Sequence, residues 1–278
     1  MKKSFLKTYR AEIIILYVFT AVLLAVAAVY DLKIDIAVSN TSSAFAGFLA
    51  DYGELPAAFL PTIAAAVLMK CFTKKWLKII AGAATVGIGA TFGQFLADGF
   101  LDGNDYKDII GAAIGVVIGI GVLVAFRFVK ISEDKKKPLI IVTLLGIAAL
   151  LLQNEAITGL KHLWGRVRFR DLDEAHTLFK PWYSINTAVG GHSFPSSHTA
   201  KAGMSYLVML LPCVFEKLRK NHFVLFIIAF AYTYTVAFTR LMVGAHYLSD
   251  IAVGSAISFT VTLVAVFAYE KISAKVIK

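Results

Sequence analysis

The stretch AEIIILYVFTAVLLAVAAVY, residues 11–30, is almost unbroken apolar sequence, with a single acid at its second position. Crossing a hydrocarbon core about 30 Å thick takes roughly 20 apolar residues in a helix. A surface helix of a soluble protein keeps a polar stripe, which this run lacks. Similar runs follow at residues 56–72, 77–97, 109–128, 138–154, 197–215, 222–239 and 247–269. The whole chain is 58% hydrophobic and 17% charged, with a mean hydropathy of +0.73, more apolar than a soluble domain keeps in water. The expected fold is all-α: a polytopic transmembrane bundle of about eight helices forming one integral membrane domain over residues 1–278. The first run is too long for a cleaved leader and no small-residue cleavage site follows it, so it is expected to remain as a helix.

Charge sorting orients the bundle. Lys2, Lys3, Lys7 and Arg10 precede the first run, Lys70, Lys74, Lys75 and Lys78 surround the second connection inward, and a basic segment covers residues 127–137. The first two opposite connections carry Asp31, Asp35, Asp51, Glu54, Asp98, Asp102, Asp105 and Asp108 against Lys33 and Lys107. Basic residues stay on the cytoplasmic side, so both termini are expected there. The net charge of +10 is then a property of that face, and no nucleic-acid partner is needed to explain it. The Lys-rich face accords with a bacterial plasma membrane. Cys71 and Cys213 fall near the ends of different helices and suggest neither a disulfide nor a zinc site.

The chain divides by character. Residues 1–137 lack a cluster of catalytic residue types and read as scaffold helices. Gly89 and Gly93 on the third run, with Gly111, Gly115 and Gly119 on the fourth, form small-residue ridges that pack helices either within one chain or between two copies. Residues 138–278 read as the catalytic helices. They contain a connection, 155–196, too long for a simple loop, placed outside by the charge argument and yet rich in Lys161, Arg166, Arg168 and Arg170.

Three short stretches fall on that same outer side: KHLWGRVRFR (161–170), FPSSHTAK (194–201) and TRLMVGAHYLSD (239–250). His246 and Asp250 are four apart, so on a helix the carboxylate holds one imidazole nitrogen and leaves the other for a substrate, the pattern of a nucleophilic histidine. Arg240 offers a fork of donors suited to phosphate oxygens, and Lys161 and Arg168, seven apart, share one side of a helix. Pro195, Ser196 and Ser197 open a helix whose free amides face an anion, beside which His198 is placed to protonate a leaving group.

Order and spacing of these stretches resemble the signature of the type-2 phosphatidic acid phosphatase superfamily, which reads K-x6-R-P, P-S-G-H and S-R-x5-H-x3-D. Lys161 and Arg168 match the first element, Pro195, Ser196 and His198 the second, and Arg240, His246 and Asp250 the third. Phe169, Ser197 and Thr239 depart from it; the Ser197 departure replaces a glycine, which takes positive φ cheaply. The resemblance implies metal-independent hydrolysis of a lipid phosphate or diphosphate, such as undecaprenyl diphosphate, phosphatidylglycerol phosphate or phosphatidic acid, through a phosphohistidine. His246 would be the nucleophile, Asp250 its orienter and His198 the acid. Lys161, Arg168, Ser196, Ser197 and Arg240 would hold the phosphate, with no cofactor.

Lys201, three residues past His198, is a further candidate phosphate contact. His162, His176 and His192 lack carboxylate or cysteine partners at ligand spacing, so no metal site is expected. A phosphotransferase passing phosphate to another acceptor, and a lipid transporter without chemistry, remain open alternatives. Oligomeric state is not readable from the sequence.

Overall fold

The computed structural model describes residues 5–185, 187 and 190–276; Lys2 and Lys3 of the basic flank lie outside them. The fold is all-helical, without strands among the described residues. Helices satisfy every backbone polar group within the segment, which a hydrocarbon solvent demands.

A single turn, α1 (Phe5–Thr8), precedes the long α2 (Arg10–Val38). Helices α3 (Ala44–Tyr52) and α4 (Leu55–Cys71) meet at a corner formed by Gly53 and Glu54. Helices α5 (Lys75–Phe100) and α6 (Lys107–Phe128) follow as a hairpin, and α7 (Glu133–Trp164) opens the second half. After a connection containing a 3-10 turn at Phe169–Asp171, α8 (Ser197–Ala202), a 3-10 stretch (Gly203–Leu210) and α9 (Leu211–Val214) make one continuous helical run. Helices α10 (His222–Met242) and α11 (Leu248–Val276) complete the chain.

Seven helical segments, α3 and α4 counting as one, are long and apolar enough to cross a membrane, making this a multi-pass membrane protein. The remaining expected span, residues 197–215, is the α8 to α9 run. It is overwound in the middle, where Gly203 lies against α11: a Cβ there would sit 2.7 Å from Ser258 Cβ. The 3-10 stretch carries Tyr206 into the core, where its ring stands 6.0 Å from Phe226 and 5.3 Å from Phe259. Large apolar side chains such as Val29, Ile79, Val117 and Leu151 are exposed instead, as faces turned toward acyl chains would be.

Two expectations about organisation change. Helices α2 and α4 are not flanking scaffold: α2 packs on α10 and α11, and α4 on α7 and α8. The add-on is the α5–α6 hairpin, whose principal neighbours are itself and α4. Its glycine ridges face each other inside one chain, since a Cβ on Gly93 would meet Gly111 O at 2.1 Å and one on Gly115 would meet Gly89 O at 2.1 Å. The other change concerns α7, which runs to Trp164 and shortens the long connection to residues 165–196. Its apolar run ends near 154, but Gln153 and Ile157 stay buried and good helix formers carry the helix three turns further. Gly165, at φ 56°, then ends it in a left-handed cap.

Replacing Gly93 by leucine should therefore cost about 1–3 kcal/mol through overpacking, whereas Gly87→Ala, whose Cβ meets nothing within 4 Å, should be neutral or mildly stabilising. Thermal unfolding in detergent distinguishes the two; equal melting temperatures would refute the α5–α6 contact.

Candidate active site

The polar centre of the bundle is built around Arg166, 1% exposed. Its Nη2 donates to Asp31 Oδ2 at 2.8 Å, its Nη1 to Asp250 Oδ1 at 2.6 Å and to Ser249 Oγ at 2.7 Å, and its Nε to the Lys180 carbonyl at 2.9 Å. The guanidinium also lies over the Tyr247 ring, 3.9 Å from its centroid. Ser249 donates from its amide and its hydroxyl to Asp31, at 3.1 and 2.5 Å. One fork thus joins α2, the 165–196 connection and the start of α11.

Asp250 is held from several further directions. Ser193 Oγ donates to its Oδ2 at 2.5 Å and the Tyr247 amide to the same oxygen at 2.9 Å, while its own backbone carbonyl accepts the Ser196 amide at 3.0 Å. Gly254 allows that last approach, because a Cβ there would stand 2.6 Å from Ser196 O. The Ser193 amide donates in turn to the Arg166 carbonyl at 2.8 Å, and the Arg170 amide to Gly244 O at 2.9 Å. The connection is thereby laced onto the ends of α10 and α11.

His246 does not share a helix face with Asp250. It lies in the turn before α11, whose first residue is Leu248, because Gly244 at φ 60° breaks the chain there. The imidazole is 2% exposed and its Nδ1 donates to the Ser193 carbonyl at 2.8 Å, with Asp250 Oδ2 behind at 3.6 Å. Ser193 therefore bridges the pair, accepting from the histidine through its carbonyl and donating to the carboxylate through its hydroxyl. This arrangement leaves Nε2 for a substrate. Burial pushes the imidazole down to about 4 from an ordinary 6.5; the Asp250 carboxylate opposes that shift, and the Lys161 and Arg240 cations add to it.

His198, on the first turn of α8, has its ring centroid 6.5 Å from that of His246. Its Nδ1 lies 3.3 Å from Glu54 Oε1, and Glu54 Oε2 accepts from Lys201 Nζ at 2.6 Å. Lys201 is thus committed to a carboxylate. Ser196 is the N-cap of α8, its Oγ accepting from the Thr199 amide at 3.3 Å and from the Thr199 hydroxyl at 3.0 Å. With its amide on Asp250, what Ser196 keeps for an anion is its hydroxyl proton. Ser197 is the first residue of the helix and does not have positive φ, so the serine in place of glycine carries no strain and its amide points out of the helix start.

The cations surround this pair. Arg240 belongs to the last turn of α10 rather than to the following turn; it is 5% exposed, and neither its Nε nor its Nη1 has a partner among the described residues. Lys161 closes α7 and donates from Nζ to the His192 carbonyl. Arg168 does not share a helix side with it, because Gly165 has already turned the chain out of the helix. Half-buried Arg168 reaches the same place from extended backbone. Lys161, Arg168 and Arg240 act on one another electrostatically, and His198 lies in the field of Lys161, Arg240 and His246.

The residues expected from sequence to form the site converge at this one end of the bundle. Missing from that reading are Arg166, Asp31, Ser193, Ser249 and Glu54. Asp31 carried a usable signal: it lies within an apolar helix that continues to Val38, and an acid inside a membrane helix is a functional candidate by default. Placing the helix end at residue 30 made it a loop charge instead. Nothing local distinguishes Arg166 from Arg168 and Arg170.

Residues 138–273 match the family model described as the PAP2 superfamily. No curated protein and no solved structure matches the chain.

Removing one member of a buried ion network leaves the others uncompensated, so Arg166→Met is expected to lower stability by about 3–5 kcal/mol. Arg166→Lys should recover less than half of that, since an ammonium cannot span both carboxylates. A loss under about 1 kcal/mol, read from unfolding in detergent, would contradict the bracing role. His246 supplies a pH test. It stays neutral when folded, while the unfolded chain takes up its proton below about 6.5, so the wild type loses stability as pH falls from 6.5 through about 4. His246→Gln lacks this loss, and the melting-temperature advantage of wild type over the variant should shrink across that window; a constant or growing advantage would mean that the folded histidine is charged.

Proposed function

We propose, from the match of residues 138–273 to the PAP2 superfamily model, in general phosphatases, together with the site's geometry, that the chain is a metal-independent lipid phosphatase working through a phosphohistidine. The observation that carries the proposal is a buried Arg240 with two unpaired guanidinium nitrogens beside a buried neutral histidine whose Nε2 is left open. Leaving such donors unsatisfied costs stability, and an arriving anion removes that cost.

In the first half-reaction His246 Nε2 attacks phosphorus in line with the leaving oxygen. The phosphorus–oxygen bond breaks with its electron pair on oxygen, and His198 supplies the proton that makes the leaving group an alcohol or, from a diphosphate, a lipid monophosphate. Lys161, Arg168, Arg240, the Ser196 hydroxyl and the Ser197 amide hold the three remaining phosphoryl oxygens. Fixed cations suit this step, because phosphoryl transfer is mainly positioning and charge neutralisation. In the second half-reaction water attacks phosphorus and yields its proton to His198. The phosphorus–nitrogen bond breaks, its electrons return to Nε2, and phosphate leaves.

Both histidines stand at the ends of long apolar helices, so the substrate phosphate is carried at headgroup depth. Undecaprenyl diphosphate, phosphatidylglycerol phosphate and phosphatidic acid fit that description. On the charge-sorting argument the site opens on the extracytoplasmic side of a plasma membrane.

Detergent-purified protein should release phosphate from at least one of these three lipids, with no effect of EDTA. His246→Ala should reduce release below about a thousandth, and Arg240→Met should cost about a hundred- to a thousandfold, as loss of a transition-state donor does. Phosphate appearing on an added alcohol rather than in solution would favour a transferase. Folded wild type inactive on all three lipids would sink the reading.

A further inference from the structure

Glu54 lies outside the stretch matched by the family, yet it reaches the catalytic end of the bundle. It sits at the α3–α4 corner, 8% exposed, where the chain is pinned against α10. The Tyr232 hydroxyl donates to Gly53 O at 3.2 Å, and a Cβ on Gly53 would meet Val236 Cγ1 at 2.6 Å. The Glu54 carbonyl accepts from the Ala57 and Ala58 amides at 3.0 and 3.1 Å, which fixes the direction in which the side chain leaves.

A carboxylate here is a paradox for a pocket that binds phosphate. It faces the same cations as the substrate, Arg240 among them, and repels a dianion. A site that only held phosphate would exclude it. What offsets that cost is its position: one oxygen lies 3.3 Å from His198 Nδ1 and the other takes Lys201 Nζ at 2.6 Å. Lys201 occupies only the second oxygen, and the first is left to the imidazole.

We propose that Glu54 is the positioning residue of the general acid, holding His198 with Nδ1 protonated and Nε2 turned to the leaving group. This rests on the phosphatase reading above. As an imidazolium, His198 needs a counter-charge among Lys161, Arg168 and Arg240, and Glu54 provides it. When Nε2 gives its proton to the departing alkoxide, the histidine is left as the Nδ1–H tautomer with Nε2 bare, which is the form that accepts a proton from water in the second half-reaction. Asp250 and Ser193 hold His246 in one tautomer; Glu54 does the same for His198, so each half of the chain supplies an acid for one histidine.

The test compares kcat/KM of the full-length protein in detergent, which reports only the steps up to formation of the phosphohistidine, on two substrates. One is an alkyl phosphate monoester whose alkoxide needs a proton to leave, phosphatidic acid or phosphatidylglycerol phosphate, whichever the wild type cleaves faster. The other is p-nitrophenyl phosphate, whose phenolate leaves without one. Glu54→Gln is expected to lower kcat/KM on the lipid by about ten- to a hundredfold and on p-nitrophenyl phosphate by less than about threefold. Lys201→Met, which keeps the carboxylate, should not reproduce that selective loss.

Equal losses on both substrates, no loss on either, or a selective loss in Lys201→Met would overturn the assignment, the last by showing that Glu54 acts through the lysine. A wild type that cleaves p-nitrophenyl phosphate but neither lipid monoester also overturns it, whereas one inactive on every phosphate removes the phosphatase reading itself.

Discussion

A guanidinium shut away from water is the constraint on which this bundle depends. Arg166 cannot be neutralised by losing its proton, and a bare charge in the interior of a membrane protein costs several kcal/mol even after relaxation. The fold must therefore bring carboxylates to it. Asp31 arrives from α2, Asp250 from the start of α11, and the Lys180 carbonyl and Ser249 hydroxyl complete its donors. Asp31, Lys180 and the adjacent Ser249 and Asp250 come from three distant parts of the chain. Meeting the charge thus fixes the first helix against the last and folds the 165–196 connection over both, and His246 and His198 inherit their places from that arrangement.

The same network separates two kinds of positive charge. Arg166 is saturated, with every nitrogen committed to a partner. Arg240 is buried almost as deeply but its Nε and Nη1 have no partner among the described residues. A saturated cation braces and an unsaturated one waits for an anion, so burial alone would not tell the two arginines apart. Asp250 belongs to the bracing side: it touches His246 only at 3.6 Å, and the direct contact to Nδ1 is the Ser193 carbonyl. The carboxylate orients the histidine through Ser193 as much as through its own field.

Much of the fold was legible because membrane helices announce themselves by length and apolarity, and each expected span has a helical counterpart. Short ordered motifs in the sequence single out His198, Arg240, His246 and Asp250, which the fold brings to one end of the bundle. What escaped depends on contacts between distant segments. Asp31 and Glu54 were counted as acidic loop charges, which is what an acid at the end of an apolar run ordinarily is; only the continuation of α2 to Val38 and the corner before α4 turn them inward. Spacing within the motifs misled in a different way. Helical geometry was assumed for Lys161 with Arg168 and for His246 with Asp250, while the glycines 165 and 244, at φ 56° and 60°, take one member of each pair off the helix. Convergence survives because the turns they make are as well determined as the helices.

The organisation that results is a polar centre wider than its motifs. Helices α2 and α4 carry no signature residue, yet their acids complete the charge balance around both histidines, and removing them would strand Arg166 and His198 alike. The α5–α6 hairpin is different in kind: its glycine ridges bury themselves on each other, its outer neighbour is α4, and no side chain of it enters the polar centre among the contacts described. The division within the chain accordingly does not fall between a scaffold half and a catalytic half. It falls between helices that answer a buried charge and a pair that packs closely on itself and on α4.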